Sequence, residues 1–155
     1  ITLEREIERR PCEVEALFDT VRQNTQKSLA DRGVTLITHS GGGTLNCNAD
    51  LIQSLLINLV DNAAKAYDTD APDKRVFLTF SGDTIEVRDF GRGIPEQAMG
   101  RIFEPFYMAD KSRSKKAGGS GLGLALVKRI ADAHDAELTV KSGVGKGTTV
   151  RVRFQ

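Results

Sequence analysis

Asn58, Asn62 and Lys65 stand at i, i+4 and i+7 of one apolar-periodic segment. At ~100° per residue a helix carries all three on one face. That face lies roughly 90° round from the stripe Ile52, Leu55, Leu56, Leu59, Val60 and Ala63, at the rim of a core. Asparagine is a mediocre helix former, because its amide competes for backbone hydrogen bonds. Two of them beside a lysine therefore suggest a polar site. An amide oxygen can ligate Mg2+, a cation that prefers oxygen donors and takes only one or two from protein. A nearby ammonium can neutralise phosphate charge. Taken alone, the three fit a solvated helix face better.

Asp89-Phe90-Gly91-Arg92-Gly93-Ile94 follows the strand-like run Ile85-Glu86-Val87-Arg88. A carboxylate at a strand end is a fixed acceptor, and two glycines beyond it let a flat ligand approach the backbone. A buried carboxylate accepting from an exocyclic amine is one way to select adenine; a plain glycine turn is the alternative. Eukaryotic-type protein kinases also carry Asp-Phe-Gly, but no His-Arg-Asp loop and no Val-Ala-Ile-Lys strand accompany it here. Further on, Gly118-Gly119-Ser120-Gly121-Leu122-Gly123-Leu124 runs into an apolar helical pattern. Glycines at a helix start expose N–H groups to an anion, and the helix dipole adds to their pull; a flexible linker is the alternative. A Rossmann motif needs a strand directly before the glycines, and a P-loop needs a closing Gly-Lys-Ser/Thr; neither is present. The loop over about 107–119 includes Asp110-Lys111-Ser112-Arg113-Ser114-Lys115-Lys116, too polar to pack and long enough to move, and reads as a lid beside a phosphate site. A solvated charge run is the alternative, above all for Lys115 and Lys116.

The elements that would position these residues follow from periodicity. A helix is predicted over about 11–32, with Pro11 near its first turn and Gly33 past its end. A strand follows over 34–38, a turn at 41–43 and a short partner strand over 44–46. A second helix, capped by Asn48 or Asp50, runs to about Tyr67. Residues 75–80 and 84–88 form a hairpin turning at 81–83. Residues 89–119 are irregular, a third helix spans about 121–133, and 136–141 with 148–154 make a second hairpin. Tight turns between adjacent strands argue for a largely antiparallel sheet with helices on one face.

The chain of 155 residues, 39% hydrophobic and 28% charged, is ordinary for one soluble domain. Balanced charge, 22 Lys+Arg against 21 Asp+Glu, argues against a dedicated nucleic-acid binder. Cys12 and Cys47 form neither a disulfide framework nor a zinc motif and read as reduced thiols. No stretch approaches the ~18–20 apolar residues of a membrane span. The opening Ile1-Thr2-Leu3-Glu4 has no signal-peptide pattern and no initiator Met. The expectation is a fragment, with 1–10 the tail of an upstream linker or phosphoacceptor helix and 11–155 a single domain.

The order of the motifs is more telling than any one of them. Asn58-Leu59-Val60-Asp61-Asn62-Ala63 resembles the N box of sensor histidine kinases, and residues 89–94 resemble their G1 box. Ile102-Phe103-Glu104-Pro105-Phe106-Tyr107 is similar to the F box, Gly119-Ser120-Gly121-Leu122-Gly123-Leu124 to the G2 box, and Gly145-Lys146-Gly147-Thr148-Thr149 to the terminal glycine-threonine box. All five fall in the family's order over 58–149. The resemblance implies the Bergerat ATP-binding fold shared with gyrase, Hsp90 and MutL. That is an α+β two-layer α/β sandwich with a mixed, mostly antiparallel sheet and three main helices on one face.

Carried over, the resemblance implies ATP and Mg2+ as ligands. Asn62 would hold the metal with help from Asn58, and Lys65 would reach the phosphates. Asp89 would accept from the adenine amino group, with Gly91, Gly93 and Ile94 shaping that pocket and Thr148 near the base. Phe103, Phe106 and Tyr107 would anchor the lid, although ordinary core accounts for Phe103 as well. Gly119, Ser120, Gly121, Leu122, Gly123 and Leu124 would cradle phosphates. An arginine often follows the Phe-Tyr pair; Met108 stands there instead, and Lys111 or Arg113 could substitute. The catalytic roles thus fall to Asn58, Lys65 and Arg113.

The Hsp90, gyrase and MutL branch activates water with a glutamate one turn before the Mg2+ asparagine. That position is Asn58, which cannot act as a general base, and Asp61 faces about 60° away. The γ-phosphoryl is therefore expected on a histidine, with the domain supplying positioning and charge neutralisation. His39 and His134, the only two histidines, lack a phosphoacceptor context. The expectation is a cytoplasmic catalytic domain that binds ATP–Mg2+ but does not autophosphorylate alone. Its partners would be a dimerisation and phosphoacceptor domain of the same parent and a downstream response regulator, with no nucleic acid and no direct membrane contact. The rivals are a catalytically silent nucleotide-binding module and a serine kinase of the anti-sigma type.

Overall fold

Apolar residues at every second position build the sheet. Val76, Leu78 and Phe80 of β4 (Arg75–Ser81) and Ile85 and Val87 of β5 (Thr84–Asp89) point inward, while their neighbours face solvent. In this computed structural model, which describes residues 6–105, 107 and 123–155, β4 and β5 are the centre of a mixed sheet. The other strands are β2 (Thr35–His39), β6 (Glu137–Gly143) and β7 (Gly147–Arg153), in the order β2-β4-β5-β7-β6. Only β2 and β4 run parallel, as expected of strands joined by a long crossover rather than a tight turn. The mixed, mostly antiparallel sheet of the sequence reading is thus observed.

Helices α1 (Val14–Arg32), α2 (Ala49–Lys65) and α3 (Gly123–Ala133) supply the second layer. The stripe of Ile52, Leu55, Leu56, Leu59, Val60 and Ala63 is buried, and Val14, Leu17, Phe18 and Val21 of α1 with Val127, Ile130 and Ala131 of α3 complete the core. Asn48 caps α2, its Oδ1 accepting the Leu51 N–H at 3.1 Å. Gly33 closes α1 in the left-handed conformation, φ 69°.

Three expectations are corrected. Helix α1 starts at Val14, not near Pro11, because Arg10–Glu13 form a strand, β1. The short strand expected over 44–46 is β3 (Thr44–Cys47), and its partner is β1, in a two-stranded antiparallel sheet apart from the main one. β1 thus runs through residues 10 and 11. Glu8 and Arg9 are also tied down: the Asn48 Nδ2 donates to the Glu8 carbonyl, and Arg9 donates to the Ala133 carbonyl and to Asp135. Within the stretch expected to be irregular, Glu96–Arg101 form a 3-10 turn.

Candidate functional site

Strands β5, β7 and β6 each end their inward-facing series in a polar residue. Ile85 and Val87 lead to Asp89, Val152 and Val150 to Thr148, and Leu138 and Val140 to Ser142. Asp89 pairs with Thr148, and Thr148 with Ser142, so the three share one cross-strand row at the end of the core. Asp89 is only 4% exposed and accepts the Gly91 N–H at 2.8 Å. Burial pushes its carboxyl up to about 6, against the opposing pull of the Gly91 and Thr148 N–H groups and of Arg92. It is thus a buried acceptor that stays ionised near neutral pH.

Helices α2 and α3 pack together, and the end of α2 at Ala66 meets Gly91, two residues past Asp89. A Cβ placed on Gly123, the first residue of α3, would lie 3.3 Å from Asn58 Oδ1 and 3.6–3.7 Å from the amide of Asn62. The two asparagines and the last glycine of the glycine-rich stretch, some sixty residues apart in the chain, are therefore in contact range. Asn58 Nδ2 donates to the Ser54 carbonyl at 2.8 Å, and its Oδ1 faces Gly123. Asn62 is exposed and Lys65 half-buried on the same rim. Asp61 turns to α1 instead, where the Ser28 hydroxyl and the Arg32 charge face it. Burial raises its pKa despite these groups and Lys65, and its buried Oδ1 has no hydrogen-bond partner among the described residues. This orientation agrees with its rejection as a general base.

The glycines after Asp89 have a packing role of their own. A Cβ on Gly91 would strike the Ala66 carbonyl at 2.4 Å, and one on Gly93, at φ +76°, would strike the Gly143 carbonyl. Their lost side chains make room for the protein's own backbone, at the end of α2 and at the β6–β7 turn. Arg92 fastens the same junction. Its side chain donates to the Lys65 carbonyl, its N–H to the Ala66 carbonyl, and its own carbonyl accepts from Gly145. Tyr67 takes part too, its hydroxyl donating to the Arg75 carbonyl and accepting the Phe90 N–H. Arg92, Tyr67 and Ser142 were given no role from sequence; only the proximity of Arg92 to Asp89 in the chain pointed to one of them.

Ile94 is held by its N–H to Ser142, Leu124 packs against the core, and the Tyr107 ring lies 4.5 Å under the Arg101 guanidinium. Phe103 is half-buried. Phe106, Met108, Lys111, Arg113, Gly119, Ser120, Gly121 and Leu122 lie outside the described residues, as does most of the expected lid. His134 is buried and structural: Nδ1 donates to the Ile130 carbonyl and Nε2 accepts the Asn48 N–H at 3.1 Å. Cys12 and Cys47 are free thiols, with Cys47 pushed up to about 12 by burial and by Cys12. Among the described residues no helix is long and apolar enough to cross a membrane.

The donor set suits a magnesium-bound nucleotide. One amide oxygen faces Gly123 at the start of α3, and a buried carboxylate stands at the end of the core.

Comparison with known proteins places the chain in an ATPase family. The model of the histidine kinase-, DNA gyrase B-, and HSP90-like ATPase family matches residues 47–155. Sensor histidine kinase YkoH of Bacillus subtilis is 40% identical over 131 residues, covering 84% of this chain and 28% of the relative. Phosphate regulon sensor protein PhoR of Pseudomonas aeruginosa is 33% identical over 148 residues, covering 94% of this chain and 33% of the relative. The chain thus spans about a quarter to a third of the length of these relatives. Among solved structures, the mycobacterial sensor histidine kinase MprB superposes with a TM-score of 0.77 at 23% identity, covering 94% of this chain and 96% of that one. Full-length ShkA in complex with AMPPNP superposes with a TM-score of 0.78 at 25% identity, covering 97% of this chain and 32% of that one.

Proposed function

Because this chain belongs to the histidine kinase-, DNA gyrase B- and HSP90-like ATPase family, we propose that it is the catalytic domain of a sensor histidine kinase, one that holds ATP with Mg2+ and delivers the γ-phosphoryl to a histidine of a separate domain. The observation that carries this reading is the approach of Gly123 to Asn58 and Asn62 on α2, whose C-terminal end at Ala66 packs against Gly91, two residues beyond the buried Asp89. It brings three separated stretches of sequence to one place. The AMPPNP held by ShkA, whose fold this chain shares, supports an ATP-like ligand.

Asn62 and Asn58 would hold the metal through amide oxygens, with Lys65 at the phosphates and Lys111 or Arg113 from the lid supplying further positive charge. Bound Mg2+ would neutralise phosphate charge. Asp89 accepts from the adenine amino group and so anchors the far end of the nucleotide. The residue one turn before Asn62 is Asn58, which has no proton-accepting carboxylate to activate water. A neutral imidazole is already a nucleophile and needs none, so positioning and charge neutralisation suffice.

The test is transfer in trans. The chain is mixed with ATP–Mg2+ and a separately produced dimerisation and phosphoacceptor domain of the parent protein. Acid-labile phosphate on the added histidine is the expected result, and Asn62→Ala should abolish both the transfer and the Mg2+-dependent part of ATP affinity while the fold survives. ATP binding without transfer would mark a silent nucleotide-binding module, and acid-stable phosphate would mark a serine kinase.

A further inference from the structure

Ser142 sits at the centre of a small hydrogen-bond network. Its Oγ lies 2.8 Å from the Ile94 N–H nitrogen, 3.0 Å from the Gly147 carbonyl oxygen and 2.8 Å from Thr148 Oγ1. An amide N–H only donates and a carbonyl only accepts, whereas a hydroxyl has one proton and two lone pairs. All three contacts are hydrogen bonds together only when Ser142 gives its proton to Gly147 and accepts from Ile94. The hydrogen between the two hydroxyls then comes from Thr148. That leaves Thr148 Oγ1 with lone pairs alone for any ligand beside it.

Asp89 stands next to Thr148 in the same row and, while ionised, is also acceptor-only. Through these two side chains the end of the row thus offers two acceptors side by side. In a pose where Asp89 takes an exocyclic amine, a 6-aminopurine meets both with N–H groups. A 6-oxopurine in that pose would present a carbonyl to lone pairs, and a site whose polar groups are left unpaired discriminates strongly.

We propose that Ser142 is a specificity-determining positioning residue: by taking the Thr148 proton it fixes that hydroxyl as an acceptor, and so sets the preference for 6-amino over 6-oxo purine nucleotides. This rests on the reading of the site as an adenine nucleotide site. Without Ser142 the Thr148 hydroxyl can rotate and donate, which would accommodate the oxo group.

The experiment measures the dissociation constants of ATP–Mg2+ and inosine triphosphate–Mg2+ by calorimetry for the 155-residue chain, Ser142→Ala, Ser142→Thr and Thr148→Val. The ratio of the two constants should shrink about tenfold in Ser142→Ala, chiefly because inosine triphosphate binds better, and should largely recover in Ser142→Thr. Thr148→Val should lose much of the same preference, and adding Ser142→Ala to it should change the ratio little further, since Ser142 acts through Thr148. If Ser142→Ala weakens both nucleotides by the same factor, Ser142 merely braces the loop at Ile94 and the inference is overturned. If Ser142→Ala does not fold, the Thr148→Val ratio decides: an unchanged preference overturns the inference. A wild-type chain that binds neither nucleotide overturns the site reading itself, whereas one that prefers ATP while Ser142→Ala keeps that preference overturns only the role of Ser142.

Discussion

Asp89 and His134 are both buried and titratable, and they tilt stability in opposite directions with pH. Burial holds the Asp89 carboxyl at about 6, above its ordinary 3.8. Between those values the folded chain keeps a proton that the unfolded chain has lost, so the Asp89 contribution to stability falls as pH rises through that window. At neutral pH the buried charge costs on the order of 3 kcal/mol. Asp89→Asn is therefore expected to make the ligand-free chain more stable above pH 6, with the difference narrowing towards pH 4, while ATP binds more weakly by about 1.5–3 kcal/mol. Urea unfolding and calorimetry at pH 7.5 check both halves; a variant less stable and unchanged in affinity contradicts the assignment. His134 behaves the other way, because burial lowers its pKa from 6.5. Protonation would set an N–H of Nε2 against the Asn48 N–H. The unfolded chain takes up the proton first as pH falls, so this contribution is complete above 6.5 and is lost on acidification. His134→Gln, which can keep an acceptor for Asn48, should blunt the loss of stability between pH 6.5 and 5 when melting temperatures are compared with wild type.

At the level of elements, the site is a junction of helix ends and strand ends, and parts of it were open to reading while others were not. Asp89 could be placed on the core face from period two alone, because Ile85 and Val87 precede it at the same parity. The N-box rim of α2 was equally plain from the 3.6 period. Strand β1 was not, since Arg-Pro-Cys-Glu neither alternates nor favours a strand; pairing with β3 overrides local preference, and Pro11 is tolerated at an edge. Ser142, Tyr67 and Arg92 escaped for another reason: most of their partners are 8 to 48 residues away, and no local pattern marks such a bond. The approach of α3 to α2 gives a direct test. In Gly123→Ala the methyl group would stand 3.3 Å from Asn58 Oδ1, tighter than side chains normally tolerate. Alanine favours the helix by up to about 1 kcal/mol. The variant should therefore keep or gain thermal stability yet lose about tenfold in Mg2+-dependent ATP affinity, as the displaced amide oxygen no longer meets the metal. Equal affinity with and without the methyl group would show that the contact has no part in binding.

The whole molecule determines where a phosphoryl group can go. Asp89 pairs with Val76, and Val76 with Leu36, which puts the base end of the proposed nucleotide near the start of β2. His39 closes the other end of β2, exposed and at the outward parity of Thr35 and Ile37. It thus lies on the opposite sheet face from Asp89 and three residues, roughly 10 Å, further along the strand. His134 has the right side of the sheet but neither a free nitrogen nor access, since both ring atoms are bonded and the residue is 2% exposed. Neither imidazole can reach in-line geometry with a nucleotide in this site without unfolding the layer that holds it. Incubation of this chain alone with γ-labelled ATP and Mg2+ should accordingly leave no acid-labile label on it, even where calorimetry shows the nucleotide bound. Label mapped to His39 by peptide sequencing would mean that the nucleotide lies elsewhere than between α2, α3 and the Asp89 row. Label on His134 would mean that the fold opens during turnover.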